Sequence, residues 1–226
     1  LYSIYNGTGK SKMPNDITVI LADGDFPQTP IPLKILREAG FVVCCDGAAA
    51  SLTGLGIIPD CIVGDLDSLP EKFKERFSDR LVHVKDQETN DLTKAFNFCC
   101  RTGRKNIVIL GATGKREDHT LGNLSLLSEY AKAVPEIKCV TNYGVFHIVS
   151  VPGKIPSHPG QQISIIALTP DAEVSSEGLK YPLDRLVLKH WWQATLNEAL
   201  GDSFSLDFPE GVRLLVFQEH KKSERI

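Results

Sequence analysis

The sequence predicts an α/β protein in two parts: an N-terminal, mostly parallel, three-layer α/β domain over residues 1–150 and a small C-terminal antiparallel β-sandwich over residues 151–226. Three observations predict it. Up to Ser150, short apolar runs alternate with longer amphipathic stretches, as repeated βα units do. Several of those runs carry Val and Ile on both faces, which suits strands buried on both sides of a parallel sheet. Beyond Ser150, Pro152, Gly153, Pro156, Pro159 and Gly160 form a turn-rich linker with no strong helical period behind it.

In chain order, Ile17–Ala22, Phe41–Asp46, Cys61–Asp65, Leu81–Val84, Asn106–Ala112 and Ile137–Asn142 read as the parallel strands. The clearest helices between them are Pro70–Phe77, Asp91–Arg101 and Asp118–Val134, where apolar residues recur at three- and four-residue spacing. Past the linker, Gln162–Leu168, Glu173–Leu179, Leu183–Lys189, Ser203–Phe208 and Val212–Gln218 read as strands. Turns at Thr169-Pro170-Asp171 and Pro209-Glu210-Gly211 separate some of them, a spacing that suits a sandwich.

With 226 residues and 42% hydrophobic content the chain can bury a sizeable core. A formal net charge of −3 argues against a general nucleic-acid binder, whose phosphate contacts need a clustered excess of Lys and Arg. No apolar run reaches the roughly 20 residues that span a bilayer. The first residues lack a charged start followed by an apolar signal core, so a cytoplasmic protein without membrane contact is expected. Cys44, Cys45, Cys61, Cys99, Cys100 and Cys139 sit inside apolar runs without a CxxC pair and read as buried thiols. The sequon Asn6-Gly7-Thr8 and the P-loop-like ending Gly9-Lys10-Ser11 read as chance matches, the second lacking the glycine five positions earlier.

Loops leaving the carboxyl ends of parallel strands share one edge, where ligands bind. On this reading Asp46-Gly47, Gly64-Asp65-Leu66-Asp67-Ser68, Asp86–Asp91 and Gly111–Asp118 all reach that edge and bring carboxylates together. Like charges held close repel unless they protonate or find a counter-ion. Magnesium, which takes oxygen ligands and is shared between one or two carboxylates and substrate phosphates, resolves the conflict; Asp65 and Asp67 are the first candidates as ligands. Gly47, Gly64, Gly111 and Gly114 allow backbone to approach a ligand closely. Arg116 can fork onto phosphate oxygens, Lys115 or Lys94 can add a point charge, and the helix start after Asp118 can add N–H groups. The plainer reading of Asp46, Asp86 and Asp118, each alone, is a helix cap or turn residue. For His119 the plainer reading is a hydrogen-bonded packing residue.

Six segments stand in order along the chain: Asp23-Gly24-Asp25-Phe26-Pro27, Asp46-Gly47-Ala48, Pro59-Asp60 with Gly64-Asp65-Leu66-Asp67-Ser68, Gln87-Glu88-Thr89-Asn90-Asp91-Leu92-Thr93-Lys94-Ala95, Gly114-Lys115-Arg116-Glu117-Asp118-His119 and Glu177-Gly178-Leu179-Lys180-Tyr181-Pro182-Leu183. Together they resemble the thiamine pyrophosphokinase family. Three departures stand out. Where the family has Ser-Thr-Ser-Asn-Glu, this chain has Ala194-Thr195-Leu196-Asn197-Glu198; Ala48 replaces a glycine; and in the family's Gly-Gly-Arg, Gly114 takes the first place with Lys115 in the second.

The resemblance implies transfer of the pyrophosphoryl group of ATP to the thiamine hydroxyl, with Mg²⁺ on Asp65, Asp67 and Asp91. Asp46, Arg116 and Asp118 would join them in catalysis. It implies ATP and phosphate contacts from Asp23, Gly24, Gly47, Ser68, Lys94, Gly111, Gly114, Arg116 and His119, and thiamine contacts from Gln87, Trp191, Trp192, Thr195 and Asn197. It also implies a homodimer with the active site at the subunit interface. The plainer reading is that one of the two tryptophans packs the sandwich core. The rival readings are a pyrophosphokinase for another acceptor such as a hydroxymethyl-pterin, a non-catalytic thiamine or nucleotide sensor, and an Asp-nucleophile phosphatase. The last is disfavoured because its Asp-x-Asp ordinarily follows the first strand.

Overall fold

The computed structural model describes residues 16–67 and 69–224. Two compact units emerge, Asp16–Ile148 and Val149–Lys221.

The first unit is built on β1 (Thr18–Leu21), β2 (Phe41–Cys45), β3 (Cys61–Gly64), β4 (Leu81–His83), β5 (Ile107–Leu110), β6 (Lys138–Val140) and β7 (Gly144–Val149). Its helices are α1 (Pro30–Glu38), α2 (Ala48–Gly54), α3 (Glu71–Arg76), α4 (Asp91–Arg101) and α5 (Glu117–Ala133). The strands lie in the order β4-β3-β2-β1-β5-β6-β7, parallel except for β7, which runs antiparallel to β6. All four residues of β1, of β3 and of β5 are buried, so their apolar character on both faces follows from helices covering both sides. The chain steps outward from β1 to β4, then returns to the other flank of β1 as β5. That reversal opens a crevice beyond the carboxyl ends of β1 and β5, where α/β sheets take their ligands.

Helix α4 places the next part of the site. Asn90 caps it by accepting the Thr93 N–H at 2.9 Å, and Leu92, Ala95, Phe96 and Cys99 form its buried stripe. Phe96 stacks on Tyr130 of α5 with ring centroids 4.1 Å apart, and the Thr93 and Tyr130 hydroxyls meet at 2.7 Å. Burial of a side chain such as Phe96 is worth roughly 2–3 kcal/mol, so this contact fixes α4 against α5 far more firmly than helix propensity does.

The second unit holds β8 (Gly153–Pro156), β9 (Gln162–Ala167), β10 (Ala172–Glu177), β11 (Leu186–Leu188), β12 (Ala194–Glu198), β13 (Ser203–Asp207) and β14 (Leu214–Glu219). Strands β12-β9-β14 form one antiparallel layer and β11-β10-β13-β8 another, around Ile163, Ile165, Val174, Phe204, Leu206 and Leu214.

Three strands depart from expectation. Within the Pro- and Gly-rich linker, residues 153–156 pair with β13, and Pro156 is tolerated there because β8 is an edge strand. Strand β12 escapes a period-two reading because a register shift between Ala194 and Asn197 interrupts it, with Leu196 at φ 56°. Strand β7 follows β6 through a tight turn in which Thr141 N–H donates to the Gly144 carbonyl at 2.9 Å, too short a break to separate it from its neighbour by pattern.

Candidate active site at the sheet edge

At the crevice between β1 and β5, Gly24 N–H donates to the Gly111 carbonyl at 2.6 Å and Asp25 N–H to the Thr113 carbonyl at 2.7 Å. A Cβ on Gly24 would collide with both of those carbonyl oxygens, so only glycine lets the two loops touch. Lys115 reaches across to Asp23, Nζ to Oδ1 at 2.9 Å. The glycine loop is closed by Gly114 N–H donating to Thr120 Oγ1 at 3.0 Å.

Arg116, just before α5, forks onto Asp118, with Nε to Oδ1 at 3.0 Å and Nη2 to Oδ2 at 2.5 Å. This pair holds the Asp118 carboxyl down to about 2 and raises the guanidinium further, with both side chains open to solvent. Asp118 thus orients Arg116, and it also accepts the His119 N–H at 2.9 Å.

The acidic arm lies beyond β2 and β3. Asp46 is completely buried. A Cβ built on Gly64 would stand 3.0 Å from Asp46 Cβ and 3.5 Å from Asp91 Oδ1, so Gly64 lets these two acids close over the end of β3. Asp65 Oδ1 accepts the Asp67 N–H at 3.2 Å in an Asx-type turn, with Leu66 in the left-handed region at φ 65°. Its other oxygen accepts from Lys94 Nζ at 3.1 Å, and the same ammonium donates to Asp91 Oδ1 at 3.0 Å. The Asp67 N–H and then Lys94 pull the Asp65 carboxyl below its ordinary value. Burial opposes the charge on Lys94, yet Asp91 and Asp65 together outweigh it and hold the ammonium above its ordinary value. At 4% exposure, Lys94 meets carboxylates here rather than open solvent.

One connection was not foreseen. Asn90 Nδ2 donates to Asn123 Oδ1 at 3.2 Å, and Asn123 Nδ2 donates to the Ala112 carbonyl at 2.9 Å, linking the cap of α4 to the glycine loop through α5. An asparagine in mid-helix, where it is neutral to unfavourable, was the available signal.

Residues from several loops thus follow one another along the edge. Lys115 holds Asp23, whose carboxylate packs where a Gly47 Cβ would stand; Asp46 follows, then Gly64, Asp91, Lys94 and Asp65. Asp67 joins through its backbone, its side chain exposed. Gln87 and His119 are exposed, and Asp86 is a turn residue accepting from Thr89 Oγ1 at 2.6 Å and Glu88 N–H at 2.8 Å. Ser68 lies outside the described residues, as do Asn6 and the 9–11 segment.

In the second unit, Trp191 and Trp192 are 54% and 72% exposed, so neither packs the sandwich core. They sit in a turn held by Gln193 Oε1, which accepts from Lys189 N–H and His190 N–H at 2.6 Å each. Thr195 Oγ1 donates to the Trp192 carbonyl at 2.8 Å. Asn197 is 2% exposed and clamps Tyr181, accepting its N–H at 3.1 Å and donating to its carbonyl at 2.7 Å.

Among the described residues, no three His, Cys, Asp or Glu side chains converge to hold a metal by themselves. The donors along the acidic arm are all carboxylate oxygens, which suits a hard cation sharing one or two of them with substrate phosphates. No helix among the described residues is long and apolar enough to cross a membrane.

Fold and edge define a parallel α/β protein with an acidic, glycine-lined ligand crevice, followed by an antiparallel sandwich. Residues 33–139 match the family model described as thiamin pyrophosphokinase, catalytic domain, and residues 144–217 match thiamin pyrophosphokinase, substrate-binding domain. The thiamine pyrophosphokinase of Bacillus subtilis is 26% identical over 180 residues, 76% of this chain and 84% of that protein. Thiamin pyrophosphokinase 1 of Caenorhabditis elegans is 28% identical over 170 residues, 69% of this chain and 70% of that one. In fold, the crystal structure of the B. subtilis enzyme superposes with a TM-score of 0.73 at 24% identity, covering 89% of this chain and 98% of that one. The yeast thiamin pyrophosphokinase structure gives 0.76 at 18% identity, covering 94% and 89%. The chain belongs to the thiamine pyrophosphokinase family.

Proposed function

We propose that this chain transfers the pyrophosphoryl group of ATP to the hydroxyl of thiamine, giving thiamine diphosphate and AMP. The observation that carries the reading is the edge on which Lys115 pairs with Asp23 and Lys94 with Asp91 and Asp65, with buried Asp46 between, which sets cations and carboxylates beside a glycine loop. Arg116, pre-oriented by Asp118, and Lys115 would bind the phosphates. Backbone N–H groups of the glycine loop and of the start of α5 would add to them.

Asp65, Asp67 and Asp91 would hold Mg²⁺, with Asp46 beside them. When bound, the ion supplies neutralisation of the phosphate charge. Positioning of the acceptor hydroxyl in line with the β-phosphorus carries most of the remaining catalysis, and no strongly basic side chain is required of this edge. On the acceptor side, Trp191 and Trp192 offer open aromatic faces for a cationic, aromatic ligand, with Gln87 and Thr195 as polar partners; Asn197, buried and bound through both amide atoms to Tyr181, braces the sandwich instead of meeting the acceptor. The reading includes a cytoplasmic homodimer, with the active site at the subunit interface.

Incubation with ATP and thiamine, with and without Mg²⁺, followed by separation of the nucleotides and thiamine esters, tests the reading. AMP and thiamine diphosphate should appear together and only with the divalent ion. Absence of AMP with thiamine, or its release with a hydroxymethyl-pterin instead, overturns it. Light scattering should give twice the chain mass.

A further inference from the structure

Lys94 has a task in this chain that phosphate binding does not describe. Its ammonium is buried and donates to Asp65 at 3.1 Å and to Asp91 at 3.0 Å, one acid from the end of β3 and one from the first turn of α4. Asp91 and Lys94 lie one helical turn apart, so the ion pair is built into α4, whereas Asp65 arrives from 29 residues earlier in the chain. Asp46, fully buried, crowds the same side of Gly64 as Asp91: a Cβ built there would stand 3.0 Å from Asp46 Cβ and 3.5 Å from Asp91 Oδ1. One ammonium among these three carboxylates leaves the arm negative but removes much of the repulsion between Asp65 and Asp91. Two of the three N–H donors of the ammonium are thus already committed to carboxylates, and the side chain is only 4% exposed.

We propose that Lys94 is the resident counter-ion of the acidic arm: it draws Asp65 and Asp91 together in the metal-free chain and keeps them assembled for a divalent cation. It is therefore a positioning residue. The proposal rests on the reading of these acids as the cation-binding edge, and it concerns the state before any nucleotide is present.

The consequence is measurable without turnover. Lys94→Met keeps a stem of similar length and removes the charge, leaving two neighbouring carboxylates uncompensated. Thermal melting in chelator should then fall by several degrees relative to the parent. Added Mg²⁺ should raise the melting point of the variant by more than it raises that of the parent, because the metal now supplies the missing charge.

The double variant Asp65→Asn with Lys94→Met should melt above Lys94→Met alone, since one of the two repelling acids is gone. If Lys94→Met fails to fold, recovery of folding in the double variant supports the proposal, and failure of both overturns it. A Lys94→Met protein that melts like the parent in chelator, with an unchanged Mg²⁺ shift and only weaker nucleotide binding, also overturns it, because that pattern belongs to a phosphate ligand. Should the parent make no thiamine diphosphate while the melting pattern holds, the catalytic reading fails and the counter-ion role stands.

Discussion

Asn123 Nδ2 donates to the carbonyl of Ala112 at 2.9 Å, so the middle of α5 holds the glycine loop that precedes it. Through its other amide atom, Asn123 takes a hydrogen bond from Asn90, which caps the helix carrying Asp91 and Lys94. The phosphate side and the acidic side of the edge therefore share one side chain. Asn123→Ala should lower stability by about 1 kcal/mol, the worth of one net hydrogen bond. It should lower kcat/KM by roughly tenfold or more, because misplacement matters more than the bond itself. Asn123→Asp keeps the acceptor for Asn90 and loses the donor to Ala112. Kinetics of both variants, read alongside melting curves, should show Asn123→Asp retaining the α4 cap while losing nucleotide affinity.

Gly24→Ala should be among the worst small substitutions in the chain. The new methyl would meet the carbonyls of Gly111 and Thr113, both backbone atoms that no side-chain rotation can move aside. Overpacking of this kind costs roughly 1–3 kcal/mol, and here the strain falls on the ligand crevice itself. The expected result is a lower melting temperature together with loss of nucleotide binding by calorimetry.

Asp91→Asn removes one carboxylate from Lys94 and from the expected cation site. Turnover should fall on the order of 10²–10³-fold, while far-ultraviolet circular dichroism stays that of the parent. Asp65→Asn should behave alike.

Asp65 also sets a pH dependence. Its carboxyl lies below the ordinary value of 3.8 in the folded chain, so its contribution to stability is fully present above that value and lost as pH falls through the lower folded one. Melting temperatures measured in chelator from about pH 5 down to about pH 2 should decline for the parent. The decline should be shallower for Asp65→Asn, because the substituted amide has no proton to take up.

The two exposed tryptophans can be removed cheaply. Trp191→Ala and Trp192→Ala should each change stability by less than about 0.5 kcal/mol, the usual range for surface positions. If the acceptor stacks on them, its KM rises roughly two- to fivefold, in keeping with an exposed cation–π contact. Quenching of tryptophan fluorescence by thiamine, weakened in one variant more than in the other, would identify the residue in contact.

Much of the first unit was legible in the sequence, because Asp and Gly punctuate the ends of Val/Ile-rich runs and those ends all fall on one edge. The paired strands stop one or two residues short of the runs: Asp46 and Asp65 fall just past the last residues in the ladder. The task of Lys94 was not legible. Its spacing from Asp91 is a local helical feature, but its bond to Asp65 depends on α4 packing against β3. Asn123 was hidden for the same reason, since both of its partners come from other elements. In the second unit, β12 was invisible because a bulge breaks its alternation, and β8 because a proline and a glycine read as linker.

The pairing of Thr18 with Ile107 brings a last consequence. The central strand of the sheet remains an open edge on one side until a segment nearly ninety residues downstream arrives to seal it. During synthesis, then, the outward half from β1 to β4 can assemble first, while the crevice that Gly24 shares with Gly111 does not yet exist. A nascent chain halted before residue 107 would have its first acids in place and nothing to cradle a phosphate.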